Sequence, residues 1–282
     1  MPQTAPEPRG TVLIDTSLLV ELQKKPRYSL PVKDALSGFR FKGVSSFSKL
    51  EFKRAWLQRL ALLHKYCRDP GVTRIAEVLD RIEKCLSHPM QKRRVHTMLQ
   101  ALNAFLDLEP DKISQKAQLI RARQHFKHAV LAGQYALEEI ATAVLRGTAC
   151  VRAEEPAREL ADGSLDVTIS RCKPSHIRCA IHEFFDGHRE AFRAIADGVD
   201  GATMPSNELQ GIRDGIRRAQ ENSTHLCDDR NCKAIGDAII AVDGKNMDVY
   251  AANNDREWQL LAQVLGKRIL NPVSTARAPQ GE

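Results

Sequence analysis

The stretch TVLIDTS, residues 11–17, decides how the rest of the chain is read. A short apolar run that ends in an acid and passes into two hydroxyl residues is the pattern of a buried strand. Such a strand delivers its last residue to a strand–helix junction. The next residues, 17–23, continue as helix. A second junction follows at GVSSFS, residues 43–48, and leads into a helical run over 49–56 that Ser46 or Ser48 would cap. Toward the other end the pattern returns as a helix over 233–242, a strand over 247–252, a helix over 255–265 and a short strand over 267–270 that stops at Asn271-Pro272. Ends that alternate strand and helix predict an α/β fold, a parallel sheet with helices on both faces.

The middle reads differently. Ile75, Val78, Leu79, Ile82, Cys85 and Leu86 keep a helical period, as do Val95, Met98, Leu99, Leu102, Phe105 and Leu106. Further helices are expected over 112–128, 130–146, 174–196 and 205–222, with one alternating, strand-like segment at 164–170. The simplest organisation is a split α/β core, residues 1–55 and 228–282, interrupted by a mainly helical insertion, residues 56–227. Strand 164–170 would then join the core sheet.

The chain has 282 residues, 43% of them hydrophobic and 27% charged, which fits a globular protein with a sizeable core. Only 5% are aromatic, which argues against an all-β sandwich or an aromatic platform for single strands. No apolar run approaches the roughly 20 residues of a membrane span. The first ten residues, MPQTAPEPRG, lack the basic-then-apolar profile of a signal peptide, so a cytoplasmic location is expected. The seven cysteines are then thiols or metal ligands rather than disulfides. Charge is uneven: the net is +7, but residues 53–127 alone hold 16 Lys and Arg against 7 Asp and Glu. A basic stretch of this kind suits a polyanion such as nucleic acid, or forms an ordinary solvated helical surface. Its densest patches contain Lys92, Arg93, Arg94, Arg121 and Arg123, cations that neutralise phosphates without reading bases.

Four acids fall where the ends of parallel strands should meet. Asp15 ends the first strand, Glu51 lies in the helix after Ser45-Ser46, Asp237 interrupts the apolar turn IGDAIIA (235–241), and Asp255 opens the helix after strand 247–252. Ligands of open α/β sheets bind beyond those strand ends. Taken singly, Asp15 or Asp255 reads as a helix cap and Glu51 as a surface residue. Asp237 among isoleucines is harder to place without a partner. Gathered together, the four would repel unless a hard divalent cation cancelled their charge, and such an ion activates water and stabilises phosphoryl oxygens.

VLIDTSLLVEL (12–22), SSFSKLEF (45–52), IGDAIIA (235–241), VYAANNDREWQLL (249–261) and LGKRILNP (265–272) resemble, in order, the motifs of PIN-domain nucleases. The resemblance covers roughly 1–60 and 230–275. It implies a PIN-like parallel sheet, here with a large helical insertion. It also implies Mg²⁺ or Mn²⁺ held by Asp15, Glu51, Asp237 and Asp255, with Thr16, Ser17 and Asn253 orienting ligands or substrate. The activity implied is metal-dependent endonuclease cleavage, mainly of RNA. Asn253 stands where the family usually has Thr or Ser. Glu51 and Asp237 lie 186 residues apart, far more than in the compact toxin ribonucleases of the family.

A second cluster contains Cys172, Cys179, Cys227 and Cys232, with His176, His182 and His225 nearby. Paired thiols from two segments could make a structural Zn²⁺ site or hold an iron–sulfur cluster; otherwise they are two buried and two loop thiols. Two other functions compete with the nuclease. One is a nucleic-acid-binding or scaffold protein that keeps the fold without catalysis. The other is a metal- or redox-responsive regulator built on the thiols. A protein partner or inhibitor docking on the helical middle, and homo-oligomerisation, are both compatible with the sequence.

Overall fold

The computed structural model describes residues 9–24, 26–84, 92–108, 113–169, 172, 179–253 and 256–272. Strand β1 (Arg9–Ile14) leads into α1 (Thr16–Leu22), and α2 (Pro26–Ser37) returns the chain to β2 (Phe39–Ser45). Helix α3 (Ser46–Phe52) passes through one π-helical turn (Lys53–Leu57) into α4 (Gln58–Arg68). Then come α5 (Ile75–Glu83), α6 (Lys92–Leu106), the long α7 (Gln115–Ile140) and β3 (Ala143–Leu145). Helix α8 (Val151–Glu154) precedes a small ribbon, β4 (Arg158–Glu159) and β5 (Leu165–Asp166). The remainder runs α9 (Ile181–Gly187), α10 (Arg189–Asp200), α11 (Asn207–Glu221), a 3₁₀ turn (Ser223–Cys227), α12 (Asp229–Ala234), α13 (Gly236–Asp243), β6 (Val249–Ala251), α14 (Arg256–Val264) and β7 (Arg268–Leu270).

Five strands form one sheet in the order β3-β2-β1-β6-β7, and every pairing is parallel. β1 is central because its apolar run has no polar face: Val12, Leu13 and Ile14 are all fully buried. Alternation along the strands sorts the two layers. Val12, Ile14, Val249 and Ala251 pack with Leu57, Leu60, Phe105 and Phe126 from α4, α6, α7 and the π turn. Leu13, Tyr250 and Ala252 face the other way and pack with Phe47, Phe185, Phe192, Ile239 and Leu261. The stretch 56–227, expected as an insertion, thus supplies helices to both apolar layers around the sheet. Among the described residues no helix is long and apolar enough to cross a membrane.

Three local expectations need correction. The helix expected over 130–146 stops at Ile140, because Thr142 pairs with the edge of β2: its N–H donates to Lys42 O at 2.7 Å and its hydroxyl accepts from Lys42 N at 3.1 Å. Residues 143–145 then form the third strand. Segment 164–170 does not join the core sheet; only Leu165–Asp166 is strand, and it pairs antiparallel with Arg158–Glu159. The Asp166 carboxylate accepts from Thr168 N at 2.8 Å and turns the chain away. The cap of α3 is Ser45, whose hydroxyl accepts from Phe47 N at 3.1 Å, since β2 runs to Ser45 before the helix begins.

Candidate active site

The strand order reverses between β1 and β6, which is where open α/β sheets form ligand crevices. Asp15 sits there. Its N–H donates to Ala251 O at 2.9 Å, extending the β1–β6 ladder by one residue, and its side chain caps α1 by accepting from Ser17 N at 3.0 Å. The Ser17 hydroxyl also donates to this carboxylate. Asp15 is only 4% exposed, and burial pushes its carboxyl above the usual range although the Ser17 bonds oppose this.

Thr16 links the strand end to α3, its hydroxyl donating to Glu51 Oε2 at 3.1 Å. Glu51 stands at about 7, raised first by burial and then by the charge of Asp15; the Thr16 bond, Arg54 and Lys233 act the other way. Across the crevice the Asn253 N–H donates to Ser17 Oγ at 3.3 Å, which ties the end of β6 to α1. The Asn253 side-chain oxygen is buried without a hydrogen-bond partner among the described residues. Asp237 is half-buried in the first turn of α13. Its neighbour Gly236 lies so close to the site that a Cβ there would stand 2.8 Å from Glu51 Oε1 and 2.8 Å from Phe47 Cε1. Asp255 lies outside the described residues.

The fold therefore brings Asp15, Thr16, Ser17, Glu51 and Asn253 together and sets the start of α13 against Glu51. It does not draw three acids into one chelating group: among the described residues no three His, Cys, Asp or Glu side chains are grouped to hold a metal. Asp15 is turned onto Ser17 and Glu51 onto Thr16, so each carboxylate satisfies itself locally. The donor set still suits a hard divalent cation, being two raised carboxyls, Glu51 within electrostatic reach of Asp15, and an amide oxygen without a partner among the described residues.

Comparison of the chain with protein-family models, with curated proteins and with solved structures finds no match.

Next to the carboxylates lies a charge network that the sequence did not reveal. Arg54 and Arg152 both donate to Asp229 Oδ1, although Arg152 is almost wholly buried. Lys53, also buried, donates to Arg152 O at 2.8 Å and to Glu155 O. These bonds lock α8, α12 and the π-helical turn after α3 together. Their partners lie 77 to 175 residues apart, so no local pattern announces them.

The four predicted cysteines do gather. Cys172 and Cys179 share a hydrogen bond that lowers the Cys179 thiol to about 6 and raises Cys172. Cys232 is buried within electrostatic reach of Cys179 and Cys150, and burial raises its thiol. Cys227 Sγ lies 3.8 Å from His182 Nδ1. All four are free thiols, and no metal-holding group of three forms among the described residues. His176 lies outside them. In the basic patch, Arg94 and Arg121 are exposed, while Arg123 donates to Cys67 O at 2.5 Å and so joins α7 to α4. The side chains of Lys92 and Arg93 lie outside the described residues.

Proposed function

We propose that the chain is a PIN-like, divalent-metal-dependent endonuclease that hydrolyses phosphodiester bonds in RNA. One observation carries the reading: two carboxyls at the β1–β6 switch point, buried Asp15 and half-buried Glu51, both have raised proton affinity, Glu51 in part through the charge of Asp15, and neither has an ion pair among the described residues. In this reading Asp15, Glu51, Asp237 and Asp255 hold Mg²⁺ or Mn²⁺. When bound, the ion supplies an activated water and charge stabilisation at the phosphoryl oxygens. Thr16 holds Glu51 through its hydroxyl, and Ser17 fixes both Asp15 and the Asn253 backbone. The free Asn253 oxygen adds a neutral donor atom. Lys233, exposed and within electrostatic range of Glu51, draws phosphate toward the acids.

The test is cleavage of single-stranded RNA by Asp15→Asn and Glu51→Gln proteins in Mn²⁺. Each should lose on the order of a hundredfold in rate while keeping its fold and RNA affinity. Cleavage by Asp15→Asn at the wild-type rate would overturn the reading. Wild-type protein that binds RNA but cuts nothing in Mg²⁺ or Mn²⁺ would instead establish a non-catalytic binding protein, which the lack of a three-acid group among the described residues favours.

A further inference from the structure

A cleft of 980 Å³ lies between α4, the turn that follows it and the β4–β5 ribbon. None of the acids at the end of β1 lines it. Its walls combine two chemistries. Leu62, Tyr66 and Val167 offer apolar and aromatic surface, while Arg59, Lys65 and Arg68 bring positive charge. The acids that line it are already engaged. Asp69 pairs with Arg81 at 3.0 Å and accepts from Gly71 N at 2.9 Å. The Asp162 carboxylate accepts from Ser164 N at 2.8 Å and from Ser164 Oγ at 2.6 Å.

Arg59 is the unbalanced member. It is half-buried and has no hydrogen bond or ion pair to a described residue. The charge acting on it is a like one, from exposed Arg94 on α6. Burial and that repulsion both hold its pKa below the usual guanidinium range. A half-buried guanidinium without an acid partner is costly unless an anion joins it. His64, only 3% exposed, stands in the wall with its Nδ1 buried and unpartnered. It also lines an adjoining recess of 220 Å³ that contains Arg123 and Lys127. In that recess Lys127 is paired with Glu159 at 2.7 Å, while Arg68 and Arg123 bring charge without an ion pair among the described residues.

We propose that this cleft is a second binding site, for a nucleoside phosphate, with the phosphate at Arg59 and the base against Tyr66 and Leu62. The Arg59 guanidinium suits phosphate through forked hydrogen bonds, with Lys65 and Arg68 adding positive charge in the same walls, and a partly apolar cleft of this size suits a flat heterocycle. A simple inorganic anion would leave the aromatic wall unused. The ligand can be a free nucleotide or the phosphorylated end of an RNA strand, which present the same chemistry. The site would exist whether or not the acids at β1 cut RNA.

Calorimetric titration of the full chain in EDTA tests this, using the ribonucleoside 5′-monophosphates, the matching nucleosides, inorganic phosphate, and one short single-stranded RNA with either a 5′-phosphate or a 5′-hydroxyl. At least one monophosphate should bind, with its nucleoside and inorganic phosphate each about tenfold weaker or more. Arg59→Gln should weaken that monophosphate on the order of tenfold and Arg59→Lys by less. Arg40→Gln, which removes an exposed charge on β2, should leave it unchanged. A strand end as the source shows as tighter binding of the 5′-phosphorylated RNA that Arg59→Gln abolishes; a free nucleotide as the source shows as no difference between the two RNAs. The proposal is overturned if no monophosphate or 5′-phosphorylated RNA binds, if inorganic phosphate binds as tightly as the nucleotide, or if Arg59→Gln binds like wild type while melting at the same temperature.

Discussion

Replacing Glu51 by Gln should make the metal-free protein more stable in mild alkali and no different in acid. The Glu51 carboxyl stands at about 7 in the folded chain against 4.5 for the free side chain, raised by burial and then by Asp15, and partly lowered by Thr16, Arg54 and Lys233. Folding therefore favours the protonated form. The stability this gives is complete below pH 4.5 and is lost as pH rises through 7. A fully dry site would then carry a charge penalty of about 3 kcal/mol at pH 8. Glu51 is only partly buried, which reduces the figure to about 1–2 kcal/mol. Gln keeps an acceptor for the Thr16 hydroxyl and removes the charge. Urea unfolding in EDTA from pH 4.5 to 8 should show Glu51→Gln more stable than wild type by that amount at pH 8, with the gap closing in acid. Adding Mn²⁺ at pH 8 should reverse the order, since binding at a hundredfold excess over Kd stabilises a native state by about 2.7 kcal/mol. A variant that is less stable than wild type by a constant margin at every pH, or equal stabilisation of both proteins by Mn²⁺, would refute the reasoning.

Gly236→Ala should weaken Mn²⁺ binding and cost about 1–3 kcal/mol in urea, because the new methyl would press on Glu51 Oε1 and Phe47 at 2.8 Å each. Phe126→Ala, in the wholly buried layer shared by α7 and the sheet, should cost about 3–5 kcal/mol and keep a single unfolding transition by both circular dichroism and fluorescence; two separated transitions would show that the helical middle folds on its own. Iodoacetamide at pH 7 should modify Cys179 before the other described cysteines, since its thiol stands at about 6 and is partly exposed, whereas burial raises Cys232; peptide mass spectrometry reads the order.

Local chemistry made the sheet's centre legible. The run 12–14 is apolar on every residue, so it had to be buried on both faces, and Asp15 after it had to end the strand. The edges were harder. Residues 143–145 read equally well as the end of a helix, and only Lys42, about 100 residues away, pulls Thr142 into extended pairing. Segment 164–170 alternates like a core strand, yet Leu165–Asp166 pairs with Arg158–Glu159 and Asp166 turns the chain away into a ribbon. At the site, Asp15 and Glu51 could be found from strand ends and helix starts. The Arg54–Asp229–Arg152 network and the cleft that Arg59 lines could not, because each joins elements that only tertiary packing places side by side.

Burial of an acid does not by itself mark a site, and Asp243 shows why. Burial raises its carboxyl too, but Ser45 Oγ donates to Oδ2 at 2.7 Å and Gly147 N to Oδ1 at 3.2 Å, so both oxygens serve to tie β2 and the loop after β3 to α13. Lys53 and Arg152, equally buried, are likewise bonded to described partners. The region around Glu51 differs. Among the described residues Ser48 Oγ, Arg54 Nη1 and Asn253 Oδ1 are buried side-chain atoms without partners; Ser48 shares α3 with Glu51, Arg54 lies in the π-helical turn that follows it, and Asn253 sits at the strand end beside Asp15. Among the described residues, three of the four such atoms lie in this region, where the strand order reverses, and the fourth, His64 Nδ1, lines the cleft beside α4. Unmet groups concentrated at such a point are what a ligand would satisfy, and their absence around Asp243 separates scaffold from site.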